Sequence, residues 1–275
     1  AQPGAARHSG AVIAISVVSL KGGVGKTSVA LGLAGAAAKR GLQVLVIDLD
    51  PQGNATSILQ ARPGWAHAAT VLAQPTAESL QAAVTKTAWT FKDGRVDVVG
   101  SDADLIRFDA WTGKRSFTPK LARAMKRLEG YDVVIIDCPP SLGALTREAL
   151  AASRLAVVVT TPSYFGAQGA ERAIDEINEI RATVNPDLRF AGIVLNRLRE
   201  KTEEHRYRKR ELVAIHGPGA VLKPSVPERV ALQQAECPGA PISGVMPAGA
   251  RDVSKVFDKQ MTRLLKMARE DQPAE

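Results

Sequence analysis

A glycine-rich stretch, SLKGGVGKTS at residues 19–28, constrains the fold of this chain more than any other feature of its sequence. It follows an apolar run of mostly β-branched residues, and a helical pattern begins at Lys26. A strand that leads into a glycine-rich turn and then into a helix is the setting that a phosphate-binding loop requires. The sequence therefore predicts a strand–turn–helix unit whose turn faces a phosphate group.

This loop departs from the standard pattern G-x-x-x-x-G-K-[ST] at its start. Gly25, Lys26 and Thr27 match the end of the pattern. Leu20 stands where the first glycine is expected, and a second lysine, Lys21, follows it. From the residues alone, Lys21 is either a solvated charge at the end of the strand or a group that a standard loop does not need.

The loop supplies several kinds of phosphate contact. Backbone N–H groups of a glycine-rich turn can point at phosphate oxygens, and the N-terminus of the following helix adds a favourable dipole. Lys26 is predicted to reach the β- and γ-phosphates, and the Thr27 hydroxyl to bind Mg²⁺. The alternative is a glycine turn beside a surface lysine. The residues of this loop predicted to contact the nucleotide are Gly22, Gly23, Val24, Gly25, Lys26, Thr27 and Ser28.

Short apolar runs alternate with helical patterns along the chain. The runs cover residues 11–19, 43–49, 95–100, 132–137, 155–161 and 189–196. The helical patterns cover residues 26–40, 117–129, 166–184 and about 251–269. Most of the runs are apolar throughout, as in strands that are buried on both faces. This alternation predicts an α/β fold, a doubly wound and mostly parallel sheet with helices on both faces. The stretch 60–92 has the weakest pattern and is expected to hold surface helices and loops.

The length of 275 residues allows one large α/β domain or two small ones. The sequence contains no internal repeat and no long low-complexity linker, which favours a single domain, built on the phosphate-binding loop, over residues 11–270. Residues 1–10 are expected to form a disordered tail, and residues 271–275 a polar tail. The apolar run at 11–20 is too short for a membrane span and has no cleavage site after it, so we interpret it as a buried strand.

Metal-binding and disulfide patterns are weak in this sequence. The two cysteines, Cys138 and Cys237, form no C-x-x-C pair, which argues against a disulfide scaffold or a zinc site and fits a reducing compartment. The four histidines are scattered, so a histidine metal cluster is not expected.

Acidic residues follow two further apolar runs. Asp48 and Asp50 lie in VIDLDPQGN (46–54), and Asp137 lies in VVIIDCPPSLG (133–143). In open parallel sheets the ligand binds beyond the carboxyl ends of the strands, and a carboxylate at such an end fits the Mg²⁺ shell of a nucleotide site. Taken singly, each residue could instead cap a helix or lie solvated in a loop.

The motifs KGGVGKTS, DLDPQGN and DCPPSLG, in this order, resemble the ParA/Soj family of DNA-partitioning ATPases. This family belongs to the deviant Walker A group, which also holds MinD and the nitrogenase iron protein. The resemblance covers about residues 11–268. It implies that the missing glycine is normal for the group. It also implies that Lys21 crosses a dimer interface, so that two subunits enclose two ATP molecules.

The resemblance also implies roles for single residues. Lys21, Lys26 and Asp50 would be catalytic, with Asp50 positioning or activating the attacking water. ATP and Mg²⁺ would be the cofactors, and turnover would be slow until a partner completes the site. The Mg²⁺ shell would involve Thr27, Asp48 and Asp137. The adenine would be contacted by Asn196 and Pro227.

The chain carries a net charge of +8 and a pI near 9.7, which favours nucleic acid or an anionic membrane as a partner. Basic residues concentrate in runs at 113–127, 197–211 and 251–269. Any one run could be a solvated face, but together they favour duplex DNA bound without sequence preference, as the resemblance implies. The segment VPERVAL (226–232) departs from the family, whose members often carry arginines there. The predicted DNA contacts are Arg197, Arg199, Lys201, Arg206, Arg208, Lys209, Arg210 and Arg229.

The resemblance further implies an ATP-bound homodimer, a ParB-type centromere-binding partner, and a cytoplasmic, nucleoid-associated location. A MinD-like membrane ATPase is the main alternative, and it would need a C-terminal helix with an exposed apolar face. Here the tail MAREDQPAE is polar, and no membrane is expected as a partner. An iron–sulfur reductase would need cysteine ligands between subunits. The apolar stripe predicted to face the core consists of Val253, Val256, Phe257, Met261, Leu264 and Leu265.

Overall fold

The computed structural model describes residues 12–61, 66–109, 117–228, 239–241, 244 and 249–270. The strands in this part of the chain are β1 Ile13–Val18, β2 Gln43–Asp48, β3 Val84–Lys86, β4 Arg95–Val99, β5 Val133–Asp137, β6 Leu155–Thr160 and β7 Arg189–Leu195. The helices are α1 Lys26–Ala38, α2 Asn54–Ile58, α3 Ala68–Ala73, α4 Ala77–Ala83, α5 Ile106–Asp109, α6 Lys120–Met125, α7 Ala144–Ala151, α8 Tyr164–Thr183, α9 Glu203–His216 and α10 Ala250–Arg269.

The strands form one sheet in the order β3-β4-β2-β5-β1-β6-β7. All neighbouring pairs are parallel except β3 with β4, which confirms the predicted doubly wound, mostly parallel sheet. From β1 the chain moves to β2 on one side, and later it returns to β6 on the other side. The carboxyl end of β1 therefore lies at the point where the direction of winding changes, which is where open α/β sheets bind ligands.

Helices cover both faces of the sheet, as the uniformly apolar strands require. On one face, α1 lies between the sheet and α10, and almost every residue of α1 is buried. Gly32 permits this close packing, because a Cβ atom at that position would overlap the ring of Phe257. On the other face, α3, α4, α6, α7 and α8 pack against the same strands.

The apolar stripe of the C-terminal helix faces the core, as predicted. Val253, Phe257, Met261 and Leu264 have no exposed surface, and Leu265 is partly buried against them. A MinD-like membrane ATPase would need these side chains to be exposed on the C-terminal helix, and in α10 they are buried against the core. Within the described ranges, no helix is both long enough and apolar enough to cross a bilayer.

Several elements differ from the sequence-based expectations. The stretch 60–92 contains α3, α4 and the edge strand β3, and the strand was not predicted. The helix expected over 117–129 is limited to Lys120–Met125. Helices α2, α5, α7 and α9 were not predicted as helices either. The tails expected at 1–10 and 271–275 lie outside the described residues.

Candidate functional site

The loop between β1 and α1 has the backbone conformation of a phosphate-binding turn. Gly23 and Gly25 have φ angles of 74° and 82°, in the left-handed region that favours glycine. A Cβ atom at Gly25 would also overlap the side-chain amide of Asn196. Because Gly25 is the N-cap of α1, it offers no side-chain acceptor to the first N–H groups of that helix. An anion at this helix N-terminus would accept those hydrogen bonds.

Lys26 and Thr27, at the start of α1, converge on Asp137 at the end of β5. Lys26 Nζ lies 2.8 Å from Asp137 Oδ1, and the Thr27 hydroxyl donates to Asp137 Oδ2 at 2.7 Å. Lys26 Nζ also lies 3.8 Å from Asp50 Oδ2. Burial lowers the pKa of Lys26, but the charges and hydrogen bond of its acidic neighbours outweigh burial and raise it above its usual value. The ammonium group therefore stays charged.

The donor set at this point suits Mg²⁺. A hydroxyl and a carboxylate are hard oxygen ligands, and Mg²⁺ in nucleotide sites uses few protein ligands together with waters and phosphate oxygens. Thr27 and Asp137, both predicted for the Mg²⁺ shell, lie in direct contact. In the ranges that the structure describes, no cluster of three or more His, Cys, Asp or Glu side chains could hold a metal ion by itself.

Asp48 was also predicted for the Mg²⁺ shell, but its carboxylate faces the loop after β2. Oδ2 accepts hydrogen bonds from the backbone N–H and the hydroxyl of Thr56 at 2.8 and 2.7 Å. Oδ1 accepts from the N–H of Asp50 at 3.1 Å. Burial, and then the charge of Asp137 on the adjacent strand, raise the pKa of Asp48 to about 7. In this structure Asp48 holds the loop that carries Asp50 and makes no hydrogen bond with Thr27.

Two residues that the sequence did not single out, Thr56 and Ser101, complete the support of Asp50. The Ser101 N–H donates to the Thr56 hydroxyl at 2.9 Å, and the Ser101 hydroxyl donates to the carbonyl of Asp50 at 2.5 Å. The Gln52 N–H donates to Asp50 Oδ1 at 3.0 Å. These contacts fix Asp50 beside Lys26. The available signal for Ser101 was a polar residue two positions after a buried strand, β4.

Asn196, predicted to contact the adenine, braces the phosphate-binding loop in this structure. Its Nδ2 donates to the carbonyl of Val24 at 2.7 Å, and its Oδ1 accepts from the N–H of Arg197 at 2.9 Å. Asn196 is fully buried. Pro227 pairs with Leu198, which lies two residues beyond Asn196 in the chain. Both predicted adenine contacts therefore lie near the carboxyl end of β7. The adenine contacts themselves stay predictions.

Lys21 and Gly22 are exposed at the mouth of the loop. The backbone of Lys21 is fixed by Ser19, whose hydroxyl accepts from the Lys21 N–H and donates to the Lys21 carbonyl, each at 3.2 Å. Within the part of the chain that the structure describes, the Lys21 side chain has no hydrogen bond or ion pair. Its ammonium group is therefore available to a group outside its own subunit.

Some of the predicted DNA-binding residues are already paired with acidic side chains, and others are not. Arg208, on α9, forms ion pairs with Glu204 at 3.7 Å and Glu211 at 3.0 Å, and its guanidinium lies over the rings of Tyr164 and Tyr207. Arg208 is therefore a packing residue in this structure, since its side chain is only 17% exposed. Arg199 forms an ion pair with Glu228, and Lys209 forms one with Glu200. Arg197 is half-buried beside Asn196, and Arg229 lies outside the described residues. Among the described residues of this set, the exposed ones whose side chains form no ion pair or hydrogen bond are Lys201, Arg206 and Arg210.

Cys138, which follows Asp137, is free and completely buried. Burial raises the pKa of its thiol above the usual value. A buried thiol cannot reach a second subunit, so this residue does not suit a metal cluster shared between subunits. Cys237 lies outside the described residues.

Known proteins resemble this chain over most of its length. A family model described as an AAA domain matches residues 12–190. The chain is 34% identical to the chromosome-partitioning ATPase Soj of Thermus thermophilus, over 91% of this chain and 96% of that protein. It is 31% identical to the sporulation initiation inhibitor protein Soj of Bacillus subtilis, over 83% of this chain and 89% of that protein.

Solved structures with the same fold include two that bear on the ligand. Cobyrinic acid a,c-diamide synthase from Mycobacterium smegmatis, solved with bound ADP and magnesium, has a TM-score of 0.75 at 25% identity, covering 95% of this chain and 97% of that one. The same synthase was solved with an ATP analogue and magnesium. A plasmid partition protein from Borrelia burgdorferi has a TM-score of 0.72 at 19% identity, covering 94% of this chain and all of the other, and it supports the fold alone.

Proposed function

Because the chain belongs to the ParA/Soj family of partitioning ATPases, we propose that it binds ATP and Mg²⁺ in the β1–α1 loop and that ATP assembles it into a homodimer on DNA. The observation that carries this proposal is the contact of Lys26 and Thr27 with Asp137 at the mouth of a glycine-rich turn. The related synthase structures with ADP or an ATP analogue and magnesium support the choice of ligand.

In the proposed site, the residues already in contact would hold the nucleotide. Thr27 and Asp137 would bind Mg²⁺, which when present neutralises charge on the β- and γ-phosphate oxygens. Lys26 would neutralise the remaining phosphate charge, and the N–H groups at the start of α1 would donate hydrogen bonds to the phosphate oxygens. Asp50, which Ser101 and Asp48 hold beside Lys26, would orient the attacking water. This division of roles relies on positioning and charge, as phosphoryl transfer requires.

The dimer proposal rests on Lys21. Its side chain is exposed beside the loop and pairs with no acidic group in the described part of its own subunit. A second subunit that presents its own loop to this face would place each Lys21 near the phosphates of the other site. Such an arrangement is isologous, so one residue type serves both sites.

Lys21→Ala separates nucleotide binding from assembly. We expect ATP affinity of the monomer within about threefold of wild type, since Lys26 and Thr27 are unchanged, and loss of ATP-dependent dimers. Sedimentation velocity with a non-hydrolysable ATP analogue measures the fractions of monomer and dimer. The matched control is Lys86→Ala, another exposed lysine, which lies on the edge strand β3. Dimers of normal stability in the Lys21 variant would contradict the proposed role.

The DNA surface is proposed to be the exposed face of α9 that carries Arg206 and Arg210. These residues are four positions apart, so they lie on the same face of the helix, and Lys201 is exposed just before the helix begins. One subunit offers only a short basic strip, whereas a two-fold dimer offers two. DNA binding would therefore depend on ATP, and it would bring the protein to the nucleoid.

Reversing both charges with Arg206→Glu and Arg210→Glu should weaken binding to duplexes of every sequence. The plot of log affinity against log salt should become flatter by roughly 0.9 for each phosphate that the variant no longer neutralises. Filter binding of random-sequence duplex over a salt series, with ATP or ADP, measures this. The control is the pair Lys255→Glu and Lys259→Glu, also exposed and four positions apart, on α10. A larger loss in the control pair would move the DNA surface to α10, and equal binding in ATP and ADP would contradict the ATP switch.

We also propose a ParB-type centromere-binding protein as the partner that accelerates hydrolysis and so releases the dimer from DNA. The chromosome-partitioning relatives support this choice of partner. Accelerated ATP turnover on mixing the two proteins with DNA would be the direct test.

A further inference from the structure

The segment from the end of β4 to the end of α5, residues 101–109, contacts both acidic loops of the candidate site. At its first residue, the Ser101 hydroxyl donates to the carbonyl of Asp50 at 2.5 Å. At its last residue, the carboxylate of Asp109 contacts the loop that follows Asp137 in the chain. We call residues 101–109 the bridging segment. It joins the loop of the proposed water-positioning residue to the loop that follows a proposed Mg²⁺ ligand.

Asp109 contacts the loop of residues 139–143 at two places. The Ser141 hydroxyl donates to Asp109 Oδ2 at 3.5 Å. A Cβ atom on Gly143 would overlap Asp109 Oδ1, so the carboxylate lies directly against the backbone at the start of α7. Within the described part of the chain, this oxygen is buried and accepts no hydrogen bond. Such burial costs free energy, and the positive end of the α7 dipole, where the first turn holds no acidic residue, offsets part of that cost.

The bridging segment is anchored between these two contacts. Leu105 has no exposed surface, and Phe108 packs, partly buried, against the same apolar cluster. At the start of the segment, the Ser101 N–H donates to the Thr56 hydroxyl at 2.9 Å. Packed side chains on a short helical segment carry a shift at one end to the other. The bridging segment therefore relates the position of one acidic loop to that of the other.

The loop of residues 139–143 is also held from the side of α7. The hydroxyl of Thr146, which is fully buried, donates to the carbonyl of Ser141 at 2.6 Å. Ser141 thus lies between α7 and Asp109. Loss of the Asp109 carboxylate would leave the contact with Thr146 in place, so the loop would stay attached to α7 but lose its fixed distance from Asp50.

We propose that Asp109 is a positioning residue for ATP hydrolysis, which acts through the bridging segment by fixing the loop of residues 139–143 relative to Asp50. This inference rests on the proposed function, which assigns the attacking water to Asp50. A displacement of about 1 Å at a reacting group can cost roughly 10²-fold in rate. The phosphate contacts proposed for Lys26 and the N-terminus of α1 do not involve the bridging segment, so ATP binding should depend on Asp109 much less than the chemical step.

The test compares Asp109→Ala with Asp109→Asn in single-turnover hydrolysis at saturating ATP. We expect Asp109→Ala to be at least roughly tenfold slower, with the affinity for a non-hydrolysable ATP analogue within about threefold of wild type. Asp109→Asn keeps the side-chain volume and an oxygen that accepts from Ser141, so its rate should return to within about threefold of wild type. The matched control is Asp104→Ala in the same segment, where an exposed carboxylate pairs with Arg107 at 3.2 Å.

A double-mutant cycle tests whether the bridging segment acts as a unit. Ser101→Ala removes the hydroxyl that contacts the Asp50 carbonyl, at the opposite end of the segment from Asp109. If the segment relates the two loops, release of either end has the same consequence. The double variant should then hydrolyse ATP no more slowly than the slower single variant. Losses that multiply would show two independent supports and would overturn the inference.

Gly143→Ala probes the same contact from the other side. The added Cβ atom would overlap Asp109 Oδ1 and push the loop away from the bridging segment. Its φ of −76° is ordinary for alanine, so the variant is expected to fold, and circular dichroism checks this for every variant. We expect a rate loss of roughly tenfold with unchanged analogue affinity. Gly143→Ala decides the question if Asp109→Ala does not fold.

The outcomes separate this inference from the proposed function. Wild-type hydrolysis in Asp109→Ala or in Gly143→Ala, with slow hydrolysis in Asp50→Ala, would overturn the role of Asp109 and leave the proposed function intact. Equal losses of rate and of analogue affinity would make Asp109 a structural support of nucleotide binding and also overturn the inference. Wild-type hydrolysis in Asp50→Ala would overturn both, because no water-positioning residue would remain for the bridging segment to fix.

Discussion

Lys26→Ala is expected to abolish ATP binding and to destabilise the nucleotide-free protein at the same time. The Lys26 ammonium lies 2.8 Å from Asp137 and 3.8 Å from Asp50, with only 7% of its side chain exposed. Its removal leaves Asp137 as a buried carboxylate without a compensating charge, and breaking a buried pair in this way costs about 3–5 kcal/mol. The phosphates of ATP would lose the same positive charge. We expect ATP affinity to fall at least about a hundredfold, the equivalent of about 2.7 kcal/mol or more.

Two measurements separate the effects of this substitution. Urea denaturation without nucleotide gives the loss in the free energy of unfolding. Titration with a fluorescent ATP analogue gives the ATP affinity. This titration is done without urea, after circular dichroism has shown that the variant is folded. The control is Lys39→Ala, at the other end of α1, where an exposed lysine pairs with Asp258 at 3.0 Å. An exposed ion pair contributes less than about 1 kcal/mol. ATP affinity within about threefold of wild type in Lys26→Ala would reject the phosphate-loop assignment.

The sheet could be predicted from the sequence because its strands are buried on both faces. The apolar run at 11–19, for example, contains β1 at Ile13–Val18, and the other predicted runs also contain their strands within two residues. The edge strand β3 was not predicted, because it is not buried on both faces. Its three residues, Val84–Lys86, are at most partly buried and carry no pattern, and they form a strand because β4 offers a free edge.

The candidate site could be predicted where it depends on strand ends, and not where it depends on side-chain partners. The convergence of Lys26 and Asp137 follows from the parallel arrangement of β1 and β5. The contact of Asp48 with Thr56 and the contact of Ser101 with Asp50 join residues that are 8 and 51 positions apart through specific rotamers. No local pattern encodes such pairs.

The basic run on α9 shows the same limit. Its composition predicts a cationic surface, but the composition does not reveal which arginine is already paired. The charge of Arg208 is neutralised by acidic residues three and four positions away on its own helix, and its guanidinium packs on two tyrosine rings, whereas Arg206 and Arg210 stay exposed. A pattern of charges therefore indicates which face interacts with a partner. Only the structure shows which arginines are already paired within the subunit and which are available to bind an anionic partner.

Asp50→Ala is expected to slow ATP hydrolysis by about 10²- to 10⁴-fold, the range associated with a positioned acid or base, while ATP binding and dimer formation are retained. The backbone of Asp50 is held by Ser101 and Gly53, so the loop keeps its path when the side chain is removed. Lys26 keeps its closer partner, Asp137, so no buried charge is left unpaired. The fold and the phosphate contacts should therefore survive, and the loss should fall on the chemical step.

The kinetic signature distinguishes this role from a binding role. Because Asp50 would act only on the attacking water, kcat should fall while KM for ATP stays within about threefold, as expected for an interaction made in the transition state. Single-turnover hydrolysis at saturating ATP, compared with analogue affinity, measures the two quantities separately. The control is Asp104→Ala, an exposed aspartate on the segment before α5, with 62% of its side chain exposed and an ion pair to Arg107. If Asp50→Ala hydrolysed ATP at the wild-type rate, Asp50 would be a structural neighbour of Lys26, and the search for the water-positioning group would move to the loop after Asp137.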